Sequence, residues 1–470
     1  NIHSRVAERN RLQLAQQEQR GEQKLEQEPV PNQVDHEYDF GTWKGYAGQF
    51  SSEFVKELET HDDVEYVEED TLMWAWGIDP DSGVALDTQG ESTPLDADQE
   101  ASTPAASLSK DTSDFDTSAV VNGHSINLEY FSLKAPSWGL ARISERERDL
   151  AKDYSYMSSA GADVDVYIID SGVYAEHSDF GGRAFNLANF VYSEKDTDTC
   201  GHGTHVAGIV AGRRYGVAKA ARIQAIKVLD AEGQGSTSQV MAGINFMIKH
   251  AAKNPNPKKV INMSLGGQSS RPVNDAVRVA VTQYGLPFFV AAGNTGDDAC
   301  QYSPAGVKEA FAVGGSDRSD RVGWYSCTGQ CVNLFAPGSG ITSDWIRSPS
   351  SAHILDGTSM AAPHVAGVAA LFLGAGNTYS SAQGLYDDLV RLSTKGIISG
   401  LMMSDARTTR NLLYNKLEDI SAAISIQPQD DLVANEEQAT EAKVNARKKT
   451  KKMRDESDRS AGRHHHHHHH

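Results

Sequence analysis

Hydrophobic and polar positions follow two alternating periods through the middle of this chain. Short apolar runs that end at polar or glycine residues predict buried strands, and the segments between them have the apolar spacing of helices. The predicted strands cover 164–169, 223–229, 259–264 and 287–292, and the predicted helices cover 204–211, 237–252 and 273–284. Strands that alternate with helices predict an α/β fold with a mostly parallel central sheet flanked by helices on both faces. Polar groups at the carboxyl ends of such strands gather along one edge of the sheet.

The pattern near the amino end predicts a smaller, separate module. Residues 1–35 are rich in Gln, Glu and Arg and predict a polar arm, either a helix over 4–24 or a solvated chain. A predicted helix over 53–61 is followed by alternation over 64–70 that is typical of a half-buried strand. These elements indicate a small α/β module that precedes the main fold.

Composition changes sharply after this module. Residues 79–117 hold ten Asp or Glu residues against one Lys, which predicts a flexible acidic linker. A basic run at 447–454 lies in a charged tail that is poor in large apolar residues, and we interpret this run as solvated. The predicted organisation is a polar arm at 1–35, the α/β module at 36–78, the acidic flexible linker at 79–130, the main domain at 131–425, a charged disordered tail at 426–463 and a histidine tag at 464–470.

The net charge argues against a nucleic-acid partner, and the hydropathy argues against a membrane-spanning helix. The 470 residues carry a formal charge of −19, which disfavours nucleic acid as a partner. No run of about 18 apolar residues occurs, so we expect no membrane-spanning helix.

Four polar side chains stand where this fold gathers its chemistry. They are Asp170 after the first strand, Asn294 after the last, and His202 and Ser359 at the starts of two helices of small residues. A serine hydroxyl becomes a nucleophile when a base takes its proton, and histidine can act as that base near neutral pH. A carboxylate orients the imidazole, and amide donors stabilise the oxyanion. Each residue alone is a common cap or turn residue, but the four together predict acyl transfer.

The motifs around these residues resemble those of the subtilisin-like serine proteases, and within them the proteinase K group. The motifs are Asp170-Ser-Gly, His202-Gly-Thr-His, Ala291-Ala-Gly-Asn and Gly357-Thr-Ser-Met-Ala-Ala-Pro. The resemblance extends over about residues 135–416. It implies a serine endopeptidase of subtilisin-like fold in which Asp170, His202 and Ser359 form the catalytic triad. The oxyanion hole would be formed by Asn294 and Ser359.

Residues 40–74 resemble the inhibitory propeptide of the same family. The resemblance implies a zymogen whose propeptide assists folding, blocks the cleft and is removed by autocatalytic cleavage. The family's first propeptide strand should precede the helix, and we do not find it in the pattern, so we expect a module truncated at its amino end. Cleavage is expected either near residues 74–77 or near residues 130–132.

By resemblance, a polypeptide substrate binds as an extra strand between two strand edges. The edges comprise Gln234, Gly235 and Ser236 on one side and Ser264, Leu265, Gly266 and Gly267 on the other. The S1 pocket would be lined by the second of these segments and by Ala291, Ala292 and Gly293. Neither lining segment contains Asp or Glu, so we predict broad specificity with a preference for apolar or aromatic residues at P1.

The four cysteines fall into two groups. Cys300 and Cys331 match a pair that is disulfide-bonded in some relatives. Two alternatives stay open for Cys200, which is either a free thiol beside the active site or bonded to Cys327.

The calcium sites of the family are weakened in this sequence. Lys308, Ala310 and Asn333 match one site, where Asn333 offers a neutral carbonyl to a cation that prefers charged ligands. The carboxylate position of a second site is Ile397. We therefore assign no metal site, expect any structural calcium to bind more weakly than in the family, and expect catalysis to need no cofactor.

The expected partners are polypeptide substrates and the chain's own propeptide, which acts as an intramolecular inhibitor. We expect a monomer, and the resemblance implies a secreted or vacuolar location. The alternative function is that of a pseudoprotease or binding protein on the same fold, and the complete set of four catalytic candidates argues against it.

Overall fold

The structure is a computed structural model that describes residues 32–77 and 129–417, together with the backbone of three short strands between 109 and 127. The helix predicted over 4–24, most of the acidic linker, the charged tail and the histidine tag lie outside the described residues. The chain divides into two units, Asn1–Leu417 and Glu418–His470, and the described residues all belong to the first.

Helices and strands alternate through the described residues as expected. The strands are β1 (Gln33–Phe40), β2 (Trp43–Gln49), β3 (Leu72–Ala75), β4 (Ser109–Asp111), β5 (Ser118–Val121), β6 (His124–Asn127), β7 (Tyr130–Leu133), β8 (Tyr154–Met157), β9 (Asp165–Asp170), β10 (Ala184–Asn189), β11 (Arg222–Lys227), β12 (Gln234–Ser236), β13 (Lys259–Met263), β14 (Leu265–Gln268), β15 (Phe288–Ala291), β16 (Tyr302–Ser303), β17 (Phe311–Ser316), β18 (Val332–Pro337), β19 (Ile341–Asp344) and β20 (Ala352–Leu355). The helices are α1 (Ser52–Thr60), α2 (Trp138–Ile143), α3 (His202–Ala211), α4 (Thr237–Lys253), α5 (Arg271–Thr282), α6 (Thr358–Gly374) and α7 (Ala382–Leu392).

A seven-stranded sheet forms the centre of this unit. Its strand order is β10-β11-β9-β13-β15-β17-β18, and every neighbouring pair is parallel. The strands and helices predicted for the main domain are all present, with bounds close to those expected. The predicted α/β fold, with a mostly parallel central sheet and helices on both faces, is confirmed.

Alternation along β9 explains why both faces of the sheet are covered. Val166 and Ile168 pack with apolar residues of α3 and α6, whereas Tyr167 and Ile169 pack with those of α4 and α5. Successive side chains of a strand point to opposite faces, so a buried strand needs a helix layer on each side. Helix α6 is buried from Thr358 to Leu373, and its many Ala and Gly residues let it lie against the middle strands of the sheet.

The amino-terminal module differs from its prediction in two places. An antiparallel hairpin of β1 and β2 precedes α1, so the expectation that the strand before this helix is missing is wrong. The strand predicted over 64–70 is wrong, because these residues are irregular and the next strand begins at Leu72. The physical reason is that Glu68 and Asp70 direct their carboxylates to backbone N–H groups of the main domain, so this segment is held by side chains and not by a backbone ladder.

β3 leaves the module and enters the main domain. It lies in a second sheet of order β12-β3-β14-β16, where it runs antiparallel to both of its neighbours. The edges that border β3 are the two segments predicted to bind substrate. Smaller sheets are formed by β19 with β20 and by β4, β7 and β8.

Candidate active site

Asp170 and His202 form a buried, hydrogen-bonded pair at the carboxyl edge of the central sheet. Asp170 ends β9, His202 begins α3, and both are fully buried. His202 Nδ1 lies 2.7 Å from Asp170 Oδ1, which also accepts a hydrogen bond of 2.7 Å from the Ser171 backbone N–H. A carboxylate at Nδ1 favours the tautomer with its proton on that nitrogen and leaves Nε2 free as a base.

A buried carboxylate that the sequence analysis missed holds this pair in place. Asp198 Oδ1 accepts hydrogen bonds of 2.8 Å from Ser171 Oγ and from the Gly201 N–H, and Oδ2 accepts one of 2.9 Å from the Thr204 N–H. Asp198 therefore caps α3 and ties the start of that helix to the end of β9. Burial raises the pKa of Asp198, against the opposing effect of hydrogen bonds from Thr204 and Gly201. The available sequence signal was an Asp shortly before a predicted helix start.

Ser359 lies in the first turn of α6, after a sharp turn at Gly357. The φ of Gly357 is +146°, and a Cβ there would lie 2.2 Å from the Trp76 carbonyl oxygen, so only glycine fits. Ser359 Oγ donates a hydrogen bond of 2.8 Å to the Ser264 carbonyl. His202 Nε2 has no hydrogen-bond partner among the described residues. The structure thus does not join Ser359 to His202 directly, and such bonds commonly tighten only in the reacting complex.

Asn294 and Ser359 direct two donors toward one region of the cleft. Asn294 Oδ1 accepts hydrogen bonds of 2.9 and 2.8 Å from the backbone N–H and the hydroxyl of Thr358. These bonds fix the amide, and its buried Nδ2 has no partner among the described residues. The Ser359 N–H donates to the Trp76 carbonyl oxygen at 3.2 Å. A Cβ at Gly357 would lie 3.0 Å from Asn294 Nδ2 and 2.2 Å from that oxygen, so the two atoms are close neighbours.

β3 occupies the two strand edges that were predicted to bind substrate. Trp74 pairs with Gln234 on β12 and with Gly266 on β14. The backbone contacts continue past the strand, where the Trp76 N–H donates to the Ser264 carbonyl at 3.3 Å. The other predicted edge residues also border β3: Gly235 pairs with Met73, Ser236 with Leu72 and Leu265 with Ala75, and Gly267 lies beside Met73. A segment of the chain itself is therefore bound in the manner of a β-augmented peptide.

The Trp76 side chain lies in the pocket that was predicted to be S1. It is 9% exposed, and a Cβ built on Gly266 would lie 2.5 Å from its Nε1. A Cβ on Gly293 would lie 3.9 Å from the indole ring. Tyr302 packs edge-on against the indole at a centroid distance of 6.1 Å, and sequence reasoning missed it because only the pairing of β16 with β14 brings it here. Ala291 and Ala292, which were also assigned to this pocket, are fully buried in the core.

Two carboxylates fix the amino-terminal module onto the starts of two helices. Asp70 Oδ1 accepts a hydrogen bond of 2.9 Å from the Ser238 N–H in α4, and Glu68 Oε1 accepts one of 2.9 Å from the Arg271 N–H in α5. The first N–H groups of a helix lack internal partners and carry partial positive charge, so carboxylates bind there favourably. The module is thus held by charged contacts as well as by β3.

The cysteines resolve the alternatives left open by the sequence. Cys300 and Cys331 form a disulfide with a Cα–Cα distance of 5.4 Å, as the resemblance implied. Cys200 and Cys327 are both free and buried, so the alternative of a bond between them is wrong. Burial raises the pKa of both thiols.

The described residues also bear on metal binding and on membrane spanning. Within residues 32–77 and 129–417, no group of three or more His, Cys, Asp or Glu side chains could hold a metal ion. Asn333 uses its Oδ1 to accept the Ala312 N–H at 2.9 Å. Weakened calcium binding stays a prediction. None of the helices in the described part of the chain has the length and apolar character needed to cross a membrane.

Comparison with known proteins assigns both parts of the chain. The profile of the subtilase family matches residues 161–447, and that of peptidase inhibitor I9 matches residues 3–74. The chain is 49% identical over 282 residues to proteinase T of Parengyodontium album, which spans 60% of this chain and 92% of that protein. It is 34% identical over 382 residues to alkaline protease 2 of Aspergillus fumigatus, spanning 77% of this chain and 67% of that protein.

A solved structure of related sequence has the same architecture. The crystal structure of a cold-adapted subtilisin-like serine proteinase aligns with a TM-score of 0.55 at 40% identity, covering 60% of this chain and 99% of that one. The profile matches agree with the architecture, since the inhibitor profile ends at residue 74 inside β3 and the subtilase profile contains all four catalytic candidates. The chain therefore belongs to the subtilase family and is a subtilisin-like serine endopeptidase with an I9-type inhibitor propeptide.

Proposed function

We propose that this endopeptidase hydrolyses peptide bonds with Asp170, His202 and Ser359 as its catalytic triad. The observation that supports this most strongly is the position of Trp76. Its carbonyl oxygen accepts the Ser359 N–H in a cleft where Asp170 holds His202 with Nε2 free. A peptide carbonyl bound in this way is placed for attack by the serine hydroxyl.

In the proposed reaction, the Ser359 hydroxyl turns from the Ser264 carbonyl toward His202. Nε2 of His202 takes its proton as Oγ attacks the carbonyl carbon of the scissile peptide. Asp170 stabilises the imidazolium through Nδ1–H, while the Ser359 N–H and the Asn294 amide stabilise the oxyanion. The imidazolium then protonates the leaving amine. Water, deprotonated by the same base, hydrolyses the acyl-enzyme and restores the serine.

The first substrate, on this proposal, is the chain's own peptide bond between Trp76 and Gly77. Trp76 binds in the cleft, and Gly77 Cα would lie 3.2 Å from a Cβ built on Gly357, at the turn that carries the nucleophile. The alternative site near 130–132 lies in β7, whose backbone pairs with β8. We therefore favour cleavage after Trp76, within the first of the two regions expected from the sequence.

The cleaved module then acts as an inhibitor that resembles a bound product. β3 fills both substrate-binding edges, and the contacts of Glu68 with α5 and of Asp70 with α4 do not involve the scissile bond, so we expect them to survive cleavage. Activity is thus expected only after the module has dissociated or been degraded.

Trp76 also supports the proposed preference for apolar or aromatic P1 residues. Its indole is bordered by Gly266, Gly293 and Tyr302, which leave room for a large flat side chain. None of these three bordering residues carries a carboxylate, so a basic P1 residue would gain no ion pair with them.

A comparison of the wild type with Ser359→Ala tests the proposal. The wild-type protein should yield a fragment that begins at Gly77, identified by mass spectrometry, and should hydrolyse casein. The Ser359→Ala protein should stay intact and inactive. If both proteins are processed and active, the triad is refuted, and if both stay intact and inactive, the pseudoprotease alternative gains support.

The domain boundaries, a monomeric state, a secreted or vacuolar location and the absence of a nucleic-acid partner stay predictions. Size measurement of the processed enzyme would test the monomer, and the terminal sequences of its stable fragments would test the boundaries.

A further inference from the structure

A buried lysine lies behind the Asp170 carboxylate and has no role in the proposed reaction. Lys227 ends β11, and the parallel register pairs its backbone with that of Asp170 on β9. The Lys227 side chain is 1% exposed. Burying an ammonium group is costly unless other groups compensate its charge and satisfy its donors.

Glu194 and two backbone carbonyls provide this compensation, and one of the carbonyls lies in the segment 170–172 at the end of β9, which we call the catalytic loop. Lys227 Nζ lies 3.0 Å from Glu194 Oε1 and donates hydrogen bonds to the carbonyl oxygens of Ser171, at 3.0 Å, and Leu229, at 2.9 Å. The Ser171 N–H in turn donates to Asp170 Oδ1 at 2.7 Å. A single residue therefore separates the ammonium group from the carboxylate that holds the imidazole.

Glu194 is itself held in its charged form. Its Oε1 accepts the Thr199 hydroxyl at 2.5 Å, and its Oε2 accepts the Ala231 N–H at 2.9 Å. Burial alone would raise the pKa of Glu194, but these bonds and Lys227 lower it. The result is a fixed ion pair, most of it removed from water, beside the catalytic loop.

We infer that the charges of the Lys227–Glu194 ion pair influence how readily His202 accepts a proton. The pair would thereby set the midpoint of the acidic limb of the pH–activity profile. The Lys227 cation disfavours an imidazolium in this region, and the Glu194 anion offsets that effect. Both are positioning residues that act through Ser171 and Asp170. The inference rests on the proposed triad and deepens it.

Four other charged or titratable groups lie around His202, and none of them takes part in the Lys227–Glu194 ion pair. They are Asp170, Asp198, Cys200 and His205. The two aspartates hold the imidazole or its loop by hydrogen bonds, so replacing them would change geometry as well as charge. Neither Lys227 nor Glu194 contacts the imidazole, and Lys227 reaches it only through Ser171 and Asp170. Substituting either one changes the charge near His202 without removing a hydrogen bond of the imidazole, and the sign of the shift separates this charge effect from a change in loop geometry.

The experiment measures kcat/KM against pH, with a peptide substrate that has an aromatic P1 residue. The variants are Lys227→Met, Glu194→Gln and the double variant, with Lys219→Met as the control. Lys219 is also a buried lysine, but it donates to the Arg214 carbonyl beyond the end of α3, away from the catalytic loop. Far-UV circular dichroism verifies folding, and Ser359→Ala defines the background.

We expect opposite shifts from the two single variants. The midpoint of the acidic limb should rise by roughly 0.5–1 pH unit in Lys227→Met and fall by a similar amount in Glu194→Gln. The double variant should return close to the wild type, and Lys219→Met should leave the midpoint in place. A role in stability alone would lower activity without moving the two midpoints in opposite directions.

The inference is overturned if both single variants keep the wild-type midpoint, shift it in the same direction, or if Lys219→Met shifts it as far as Lys227→Met. If Lys227→Met does not fold, Glu194→Gln decides alone, and an unchanged or raised midpoint refutes the inference. Failure of the triad would appear differently, as wild-type activity that persists in Ser359→Ala.

Discussion

The carbonyl oxygen of Trp76 lies 3.2 Å from the backbone nitrogen of Ser359. The Trp76 N–H at the same time donates to the Ser264 carbonyl, so this residue is bound from both sides. On the proposed function, this segment presents a peptide bond to the candidate nucleophile before cleavage, and the same contacts would retain it in the cleft afterwards.

Replacement of Trp76 should control the rate of self-cleavage. Trp76→Asp would bring a charge into a pocket formed by glycines and an aromatic ring, and we expect processing to slow by at least about 100-fold. Trp76→Phe keeps an aromatic side chain and should be processed within about tenfold of the wild-type rate. A time course of the fragment that begins at Gly77 measures both. Equal rates for the Asp and Phe variants would contradict the assignment of this pocket.

Loss of the two capping carboxylates should weaken inhibition by the cleaved module. Glu68→Gln and Asp70→Asn each remove a charge from a helix start, and each should weaken binding by about 1 kcal/mol, or about fivefold. The measurement is recovery of casein hydrolysis when the processed complex is diluted. Glu69→Gln provides a matched control, because Glu69 lies between these residues with its side chain exposed. Equal weakening by all three variants would argue against specific capping.

Removal of the Asn294 amide should lower kcat and leave KM nearly unchanged. The amide would stabilise charge that develops only in the transition state, and loss of one such donor costs about 10²–10³ in subtilisin. Thr358→Val is the companion variant, since it removes only one of the two bonds that orient Asn294 Oδ1 and should cost less. Steady-state kinetics separate the two parameters. An Asn294→Ala enzyme with normal kcat would exclude this donor from the oxyanion hole.

Burial of His364 should make the fold sensitive to acid. Its Nδ1 is bonded to the Met360 carbonyl, and burial lowers its pKa from 6.5 to about 4. Because the folded pKa is the lower one, this contribution to stability is complete above pH 6.5 and is lost as pH falls from 6.5 to about 4. The loss should reach about 3 kcal/mol.

Urea unfolding of the Ser359→Ala protein from pH 7.5 to 4.5 measures this loss without self-digestion. His364→Gln keeps a polar side chain that does not titrate, so its stability should fall less over this range. His61→Gln, in the amino-terminal module, is the control. An identical pH dependence in His364→Gln and the wild type would contradict the expected effect.

The main domain was predictable because its signals are local. The buried apolar runs of β9, β13 and β15 and the small-residue sequence of α6 indicate strands and a helix without knowledge of their neighbours. The amino-terminal module was less predictable. Residues 64–70 alternate as a strand would, yet Glu68 and Asp70 bind helix starts that lie 202 and 168 residues further along the chain. A contact of that kind leaves no periodic signal in the local sequence.

The candidate site divides in the same way. Four site residues could be predicted because each lies at a strand end or a helix start that the local sequence indicates. They are Asp170, His202, Asn294 and Ser359. Lys227 and Tyr302 could not be named, since each acts through partners that other strands bring to it. Asp198 left only the signal of an Asp before a predicted helix start, and its contact with Ser171 depends on the tertiary structure. Whether Cys200 is free was also undecided until its surroundings were placed.

The sequence by itself determined the order of the elements, the edge of the sheet where polar groups gather, and the residues at the turns along that edge. These features were predictable because strand burial and sharp turns depend on residues that are neighbours in the sequence. Only the tertiary structure decided which residue of the propeptide lies at that edge and which groups bind it. The Trp76 carbonyl accepts the Ser359 N–H because β3 pairs with β12 and β14, and Lys227 donates to the Ser171 carbonyl beside Asp170 because β11 pairs with β9. Such pairings depend on which distant surfaces fit together, and no local pattern contains that information.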